Sequence, residues 1–344
     1  MSSVTYIWRL FRRYILTTES FFVVIILIIL YNTLTNITPL WEKAKEKFRH
    51  TQSRFQRPDR SEDRDNLYWP SDPSKFSWDF VSAQAAAYSV QGRRPHMEDR
   101  FKIFNSPDGS KPSIYGLFDG HGGSFTAEYA NEKLFPMILT SVSGDMLDHG
   151  DILTKQILDV DAQILKEVKA NMDISGSTAL VATVMGGRLT VANVGDSRGV
   201  MCDQHGNTVP LSVDHKPNQT KEHERIKAAG GFIGFNGVWR VAGILATSRA
   251  LGDYPLKDRN VLIAEPDILT FDLHKHRPKF IILASDGLWD CFTNEEAVAY
   301  IKERLDEPHF GAKSIILQAY YKGSLDNITV IVVKFDKIFK DHVS

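Results

Sequence analysis

The 344-residue sequence predicts an α+β fold: antiparallel β-sheet with helices packed outside it, preceded by one transmembrane helix and a linker. Three observations predict it. Short apolar or β-branched runs of strand length follow one another directly, which disfavours the regular alternation of a doubly wound parallel sheet. Helix-length stretches separate groups of these runs. One apolar segment stands alone near the N-terminus, with a charged stretch after it.

The N-terminal segment comes first. Phe21 to Tyr31 is an unbroken apolar run of 11 residues, short of the ~20 that cross a ~30 Å hydrocarbon layer. Its flanks extend it: Ser20 to Ile37 holds no charge, and Tyr14 to Leu16 adds apolar length. A cleaved signal peptide would need a small-residue cleavage site, which Tyr31 to Pro39 lacks. A buried core helix is the bland alternative, weakened because the run is apolar on all sides. The expected organisation is a tail at 1–13, a transmembrane anchor at 14–37 and a charged linker at 38–75. Arg9, Arg12 and Arg13 precede the run, and Lys43, Lys45, Lys47, Arg49 and Arg54 follow it. That bias favours a cytosolic C-terminal side.

The globular domain is expected over 76–337, with a tail at 338–344. Strands are predicted at Ile114 to Phe118, Ala179 to Val184, Leu189 to Val194, Gly199 to Cys202, Phe280 to Ala284 and Ile328 to Val333. Helices are predicted at 124–139, 151–170, 221–229, 294–305 and 311–321, the fourth with Asn294 as its N-cap. Gly186-Gly187 reads as a hairpin turn.

Composition bounds the function. The chain carries 41 Lys and Arg against 42 Asp and Glu, which argues against a polyanion binder, so no nucleic acid is expected. Residues 1–57 hold nine basic and three acidic residues, so the near-zero total cancels a basic arm against an acidic domain. Neither Cys202 nor Cys291 is followed six positions on by Arg, as a cysteine-dependent phosphatase requires. There is no Walker A sequence.

Acids stand at the rims of the apolar strands. Asp119 ends one, before Gly120-His121-Gly122-Gly123. Asp286 and Asp290 follow Phe280 to Ala284, and Asp196 follows Leu189 to Val194. Asp326 precedes Ile328 to Val333, and Glu98-Asp99 follows Arg94. One such acid is an ordinary turn residue. Five sets in one domain can converge at one end of a sheet, where clustered carboxylates need compensating positive charge. Hard divalent cations such as Mg²⁺ or Mn²⁺ suit an all-oxygen shell, to which the Gly120 carbonyl can add.

These motifs resemble the metal-dependent protein phosphatases, the protein phosphatase 2C family. They are Gly92 to Asp99, Phe118 to Gly123, Gly176 to Ala179, Val191 to Arg198, Asp214 to Pro217, Glu224 to Ile226 with Ala229 to Gly231, Ser248 to Asp253, Ala284 to Asp290, and Asp326 to Thr329. Their order matches the family over roughly 81–334. The N-terminal anchor and basic linker are similar to the membrane-anchored protein phosphatase 1-like branch.

The resemblance implies a four-layer αββα sandwich of two antiparallel sheets. It implies hydrolysis of phosphoserine and phosphothreonine in proteins at two Mg²⁺ or Mn²⁺ ions, by a hydroxide bridging them. Asp119 would bridge the metals, with Gly120, Asp286 and Asp326 completing one shell and Glu98 and Asp99 serving the other. Asp196 and Asp290 match a weaker third position, Arg94 the phosphate-binding arginine and His121 the general acid. Expected partners are phosphoprotein substrates, kinases among them, and a lipid bilayer, with the endoplasmic reticulum as the expected membrane. The alternatives are an inactive phosphoprotein-binding scaffold and a hydrolase of small phosphate esters.

Outside these motifs, Arg249 and Asp253 are expected to pair, Asp159-Val160-Asp161 to lie on a helix surface, and Trp239 and Trp289 to be core aromatics.

Overall fold

Strands buried on both faces form the centre of the fold. The computed structural model describes residues 73–106, 108–142 and 149–335, all within one compact unit, Trp69–Ser344. The expected membrane span, the linker up to residue 72 and the C-terminal tail lie outside the described residues. Among the described residues, no helix is long and apolar enough to cross a membrane.

A 3-10 turn at Pro73–Phe76 leads into β1 (Ser77–Val81), β2 (Ala85–Val90), β3 (Arg100–Phe104), β4 (Ser113–Phe118) and the two-residue β5 (Gly120–His121). Helices α1 (Phe125–Ser141) and α2 (His149–Asn171) precede β6 (Gly176–Ser177), β7 (Ala179–Met185), β8 (Arg188–Val194), β9 (Arg198–Cys202) and β10 (Thr208–Pro210). Next come α3 (Thr220–Ala228), β11 (Ile233–Asn236), β12 (Val238–Val241), β13 (Leu251–Gly252) and α4 (Tyr254–Lys257). The chain continues with β14 (Asp267–Asp272), α5 (Leu273–His276), β15 (Phe280–Ala284), α6 (Asp286–Trp289), α7 (Asn294–Lys302), α8 (Ala312–Lys322) and β16 (Ile328–Lys334).

Two large sheets result, one in the order β1-β2-β16-β15-β9-β10 and one in the order β14-β8-β7-β4-β3. Every pairing within them is antiparallel. Alternation along each strand sorts side chains into three apolar layers. Ile281 and Leu283 of β15 meet Leu117 of β4 and Leu180 of β7 between the sheets. Phe280, Ile282 and Ala284 face the other way, into a layer with Ile301 of α7 and Ile316 of α8. On the second sheet, Ile114 and Phe118 pack with Leu134 of α1 and Ile157 of α2. Helices therefore cover both outer faces, as expected. This double burial explains why the strands read as continuous apolar runs.

The six predicted strands and five predicted helices all form, and Gly186-Gly187 joins β7 to β8. The N-cap of α7 is a correction. Thr293, not Asn294, caps it, accepting from the Glu296 N–H while the Glu296 carboxylate accepts from the Thr293 N–H. Asn294 instead accepts a hydrogen bond from Arg198. Trp289 is buried as expected, but Trp239 is exposed, beside Phe235 on the β11-β12 hairpin. Asp161 is buried, because α2 turns that face toward the α4 loop, where Lys257 pairs with it.

Candidate active site

The rim acids come together at one end of the sandwich. Asp119 leaves the end of β4, and its N–H donates to Thr178 Oγ1 at 3.0 Å while its carbonyl accepts from the Thr178 N–H. Thr178 also hydrogen-bonds Ser197 at 2.8 Å, next to Asp196. The Gly-Ser-Thr motif thus ties two acid-bearing turns together. Burial first, then the charges of Asp99, Asp286, Asp326 and Asp196, hold the Asp119 carboxyl well above the ordinary carboxylate range. Asp286 is raised in the same way, by burial and then by Asp196, Asp326 and Asp290. Mutual repulsion of this kind places these side chains within electrostatic reach of one another.

Asp99 lies deeper. Ser285 donates to its Oδ2 at 2.8 Å and Thr329 at 2.6 Å. Burial nevertheless pushes its carboxyl up to about 6. Asp290 is exposed at the rim, yet desolvation, the first of its causes, still raises it. Glu98 is tied through its backbone N–H, which donates to Asn327 Oδ1 at 2.8 Å. Asn327 Nδ2 donates to the carbonyls of Gln91 and His96, so this one side chain clamps the β2-β3 loop that carries Arg94 and Glu98.

Basic side chains answer the acids. Arg94 Nη2 stands 2.5 Å from Asp326 Oδ2, and Lys216 Nζ 2.5 Å from Asp196 Oδ2. Burial works against the Lys216 charge, but Asp196 outweighs it and raises its pKa. Lys216, from the Asp214 to Pro217 motif, is a site residue that the rim acids alone do not predict. His215 beside it accepts from the Gly195 N–H at 3.0 Å and supports the turn before Asp196.

His121 Nε2 lies 2.7 Å from Asp253 Oδ2. Burial lowers the His121 pKa, but the charge of Asp253 and its hydrogen bond prevail and raise it. This corrects the expected pairing of Arg249 with Asp253. Arg249 binds buried Glu222, at 2.7 Å, and Asp267, at 3.0 Å.

As placed, no three His, Cys, Asp or Glu side chains among the described residues close around a point that could hold a metal ion. Asp326 and Asp196 turn an oxygen to Arg94 and Lys216 instead. The donor set still fits hard divalent cations: it is all carboxylate and carbonyl, and neighbouring acids hold the Asp119 and Asp286 carboxyls above the ordinary range. A Cβ on Gly120 would lie 2.5 Å from the Glu98 carbonyl oxygen, so only glycine lets these two backbone segments approach so closely.

The model of the protein phosphatase 2C family matches residues 84–328. The chain belongs to that family. It is similar to Protein phosphatase 1L of Bos taurus, 58% identical over 268 residues that cover 75% of this chain and 74% of the relative. It is also 42% identical to Probable protein phosphatase 2C 71 of Arabidopsis thaliana, over 77% of this chain and 57% of that one. A crystal structure of serine-threonine phosphatase 2C from Toxoplasma gondii superposes with a TM-score of 0.67 at 24% identity, covering 75% of this chain and 99% of the other. The chain is therefore a protein serine/threonine phosphatase of the 2C family, which generally depends on Mg²⁺ or Mn²⁺.

Proposed function

We propose that this phosphatase is anchored in a membrane, with its domain in the cytosol, and dephosphorylates proteins using two Mg²⁺ or Mn²⁺ ions. The carrying observation is the group of acids, Asp99, Asp286, Asp326 and Asp196, whose charges reach the buried Asp119 carboxyl. Asp119 would serve both ions, with the Gly120 carbonyl, Asp286 and Asp326 completing one shell. Glu98 and Asp99 would serve the other, and Asp196 and Asp290 a weaker third. When bound, such ions supply positive charge and bring the pKa of an attacking water from about 15.7 to about 7.

The chain's own residues supply the rest. Arg94, half exposed at the mouth, offers a planar fork that matches two phosphate oxygens. His121 gives a proton to the serine or threonine oxygen as it leaves, its Nε2 held 2.7 Å from Asp253 Oδ2. The apolar run Phe21 to Tyr31 supports the anchor, and its modest length suits the thin endoplasmic reticulum bilayer. Confinement there raises the effective concentration of nearby phosphoprotein substrates, kinases among them.

Phosphate release from a phosphothreonine protein and from a small phosphate ester, each with Mn²⁺ and with chelator, tests this reading. Turnover of the protein substrate that chelation abolishes is expected. Binding without turnover would indicate a scaffold, and turnover of the small ester alone would indicate a different hydrolase.

A further inference from the structure

The contact between His121 and Asp253 is built across a bare backbone. The small sheet β13-β6-β5 has β6 in its middle, with Gly176 paired to His121 on one side and to Gly252 on the other. A Cβ on Gly176 would lie 1.9 Å from Asp253 Oδ2 and 2.3 Å from His121 Nε2. The two side chains meet because the strand between them carries no side chain there.

The turn that carries Asp253 is held at a cost. Asp253 has a left-handed backbone, φ 51 and ψ 45, a conformation unfavourable for most non-glycine residues. Its N–H donates to the Ser175 carbonyl at 3.0 Å. The Gly252 N–H donates to Asp161 Oδ1 at 2.8 Å, and Asp161 Oδ2 pairs with Lys257 at 2.6 Å, both side chains nearly buried. Helix α2 thus grips the turn on both sides of Asp253. The carboxylate so held belongs to no expected metal shell.

We propose that Asp253 is a positioning residue for His121, keeping a proton on Nε2 so that Nδ1 is the nitrogen that protonates the leaving oxygen. This rests on the reading of His121 as proton donor. As the phosphorus–oxygen bond of the phosphoester breaks, its electron pair stays on the serine or threonine oxygen, which takes the Nδ1 proton. The attacking water gives its oxygen to phosphorus and a proton to solvent. The imidazole left behind is neutral, with its remaining proton on Nε2 hydrogen-bonded to Asp253. Without Asp253, neutral histidine is free to carry its proton on either nitrogen.

Leaving-group dependence tests this in the full-length protein with Mn²⁺. A peptide threonine oxygen needs a proton to leave, whereas p-nitrophenolate does not. His121→Ala is expected to lower kcat on a phosphothreonine peptide by about 10²-fold or more, and on p-nitrophenyl phosphate by no more than about threefold. Asp253→Asn, which tolerates the left-handed backbone, is expected to show the same selectivity and to add nothing in the His121→Ala background. Gly176→Ala is expected to reproduce it by forcing the pair apart. Both substrates are read on one sample, so partial misfolding cancels in their ratio, and Asp253→Gly serves where Asp253→Asn does not fold. An unselective His121→Ala overturns the donor reading and the proposal with it. A selective His121→Ala beside an unselective Asp253→Asn, or losses that multiply, overturns the positioning role alone.

Discussion

Arg94 Nη2 and Asp326 Oδ2 stand 2.5 Å apart, joining the loop after β2 to the residue before the turn into β16. The guanidinium side chain is 52% exposed and the carboxylate 25%. Asp326 also accepts from the Asn327 N–H at 2.7 Å through its other oxygen. Arg94 therefore holds a proposed metal ligand while about half of its own side chain stays open to solvent.

Arg94→Ala is expected to raise KM for a phosphothreonine peptide by at least about tenfold, since a charge-assisted bond to phosphate is worth about 1.5 to 3 kcal/mol. The Mn²⁺ concentration for half-maximal activity is not expected to rise, because an Asp326 oxygen is released. Steady-state kinetics over both variables checks this.

Asn327→Ala should loosen the loop that carries Arg94 and Glu98. Three hydrogen bonds to that loop are lost, from the Glu98 N–H and to the Gln91 and His96 carbonyls. At roughly 1 kcal/mol each, a loss of about 2 to 3 kcal/mol is expected in urea denaturation, together with weaker Mn²⁺ activation.

Stability should fall in acid through Glu222. Burial raises its pKa, but Arg249 and then Arg225 overcome that and hold it at about 2. A depressed folded pKa gives stability that is present above the unfolded value and lost as pH falls through the folded one. The wild type should therefore lose up to about 3 kcal/mol as pH drops from about 4.5 toward 2. Asp267, held low by His215 Nε2 at 3.3 Å and by Arg249, acts in the same direction. Glu222→Gln should be less stable near neutrality, by about 2 to 3 kcal/mol, because Arg249 keeps Asp267 but its bonds and those of Arg225 to a buried carboxylate lose their charge assistance. Its further loss in acid should be smaller than that of the wild type; denaturation at both pH values reads the difference.

Removing residues 1–37 should move the protein from the membrane to the soluble fraction without loss of phosphatase activity. Protease added to intact microsomes should digest the domain of the full-length protein. Protection would overturn the proposed topology.

The large sheets were legible because strands buried on both faces leave unbroken apolar runs, as in Phe280–Ala284. Asp119, Asp196 and Asp286 were legible because each follows such a run, and Asp326 because it stands just before one. The partners of His121 and Arg249 were not. Strands of two residues, such as β5, β6 and β13, have no periodicity to read, and their register decides which side chains meet. Asp161 read as helix surface, as Asp159 is, but its burial depends on Lys257, 96 residues further on. The Asp196 partner Lys216 was hidden for a similar reason: only the folded loop brings that lysine to the acid.

The central claim is that the acids around Asp119 hold the cations that the phosphatase needs. Calorimetric titration of Mn²⁺ into the full-length protein, with phosphate release measured on the same samples, tests it most directly. The wild type should bind Mn²⁺ and hydrolyse a phosphothreonine peptide, and Asp286→Asn should lose at least about tenfold in affinity and most of its turnover. Wild-type turnover by Asp286→Asn, or by the chelated wild type, would contradict the account.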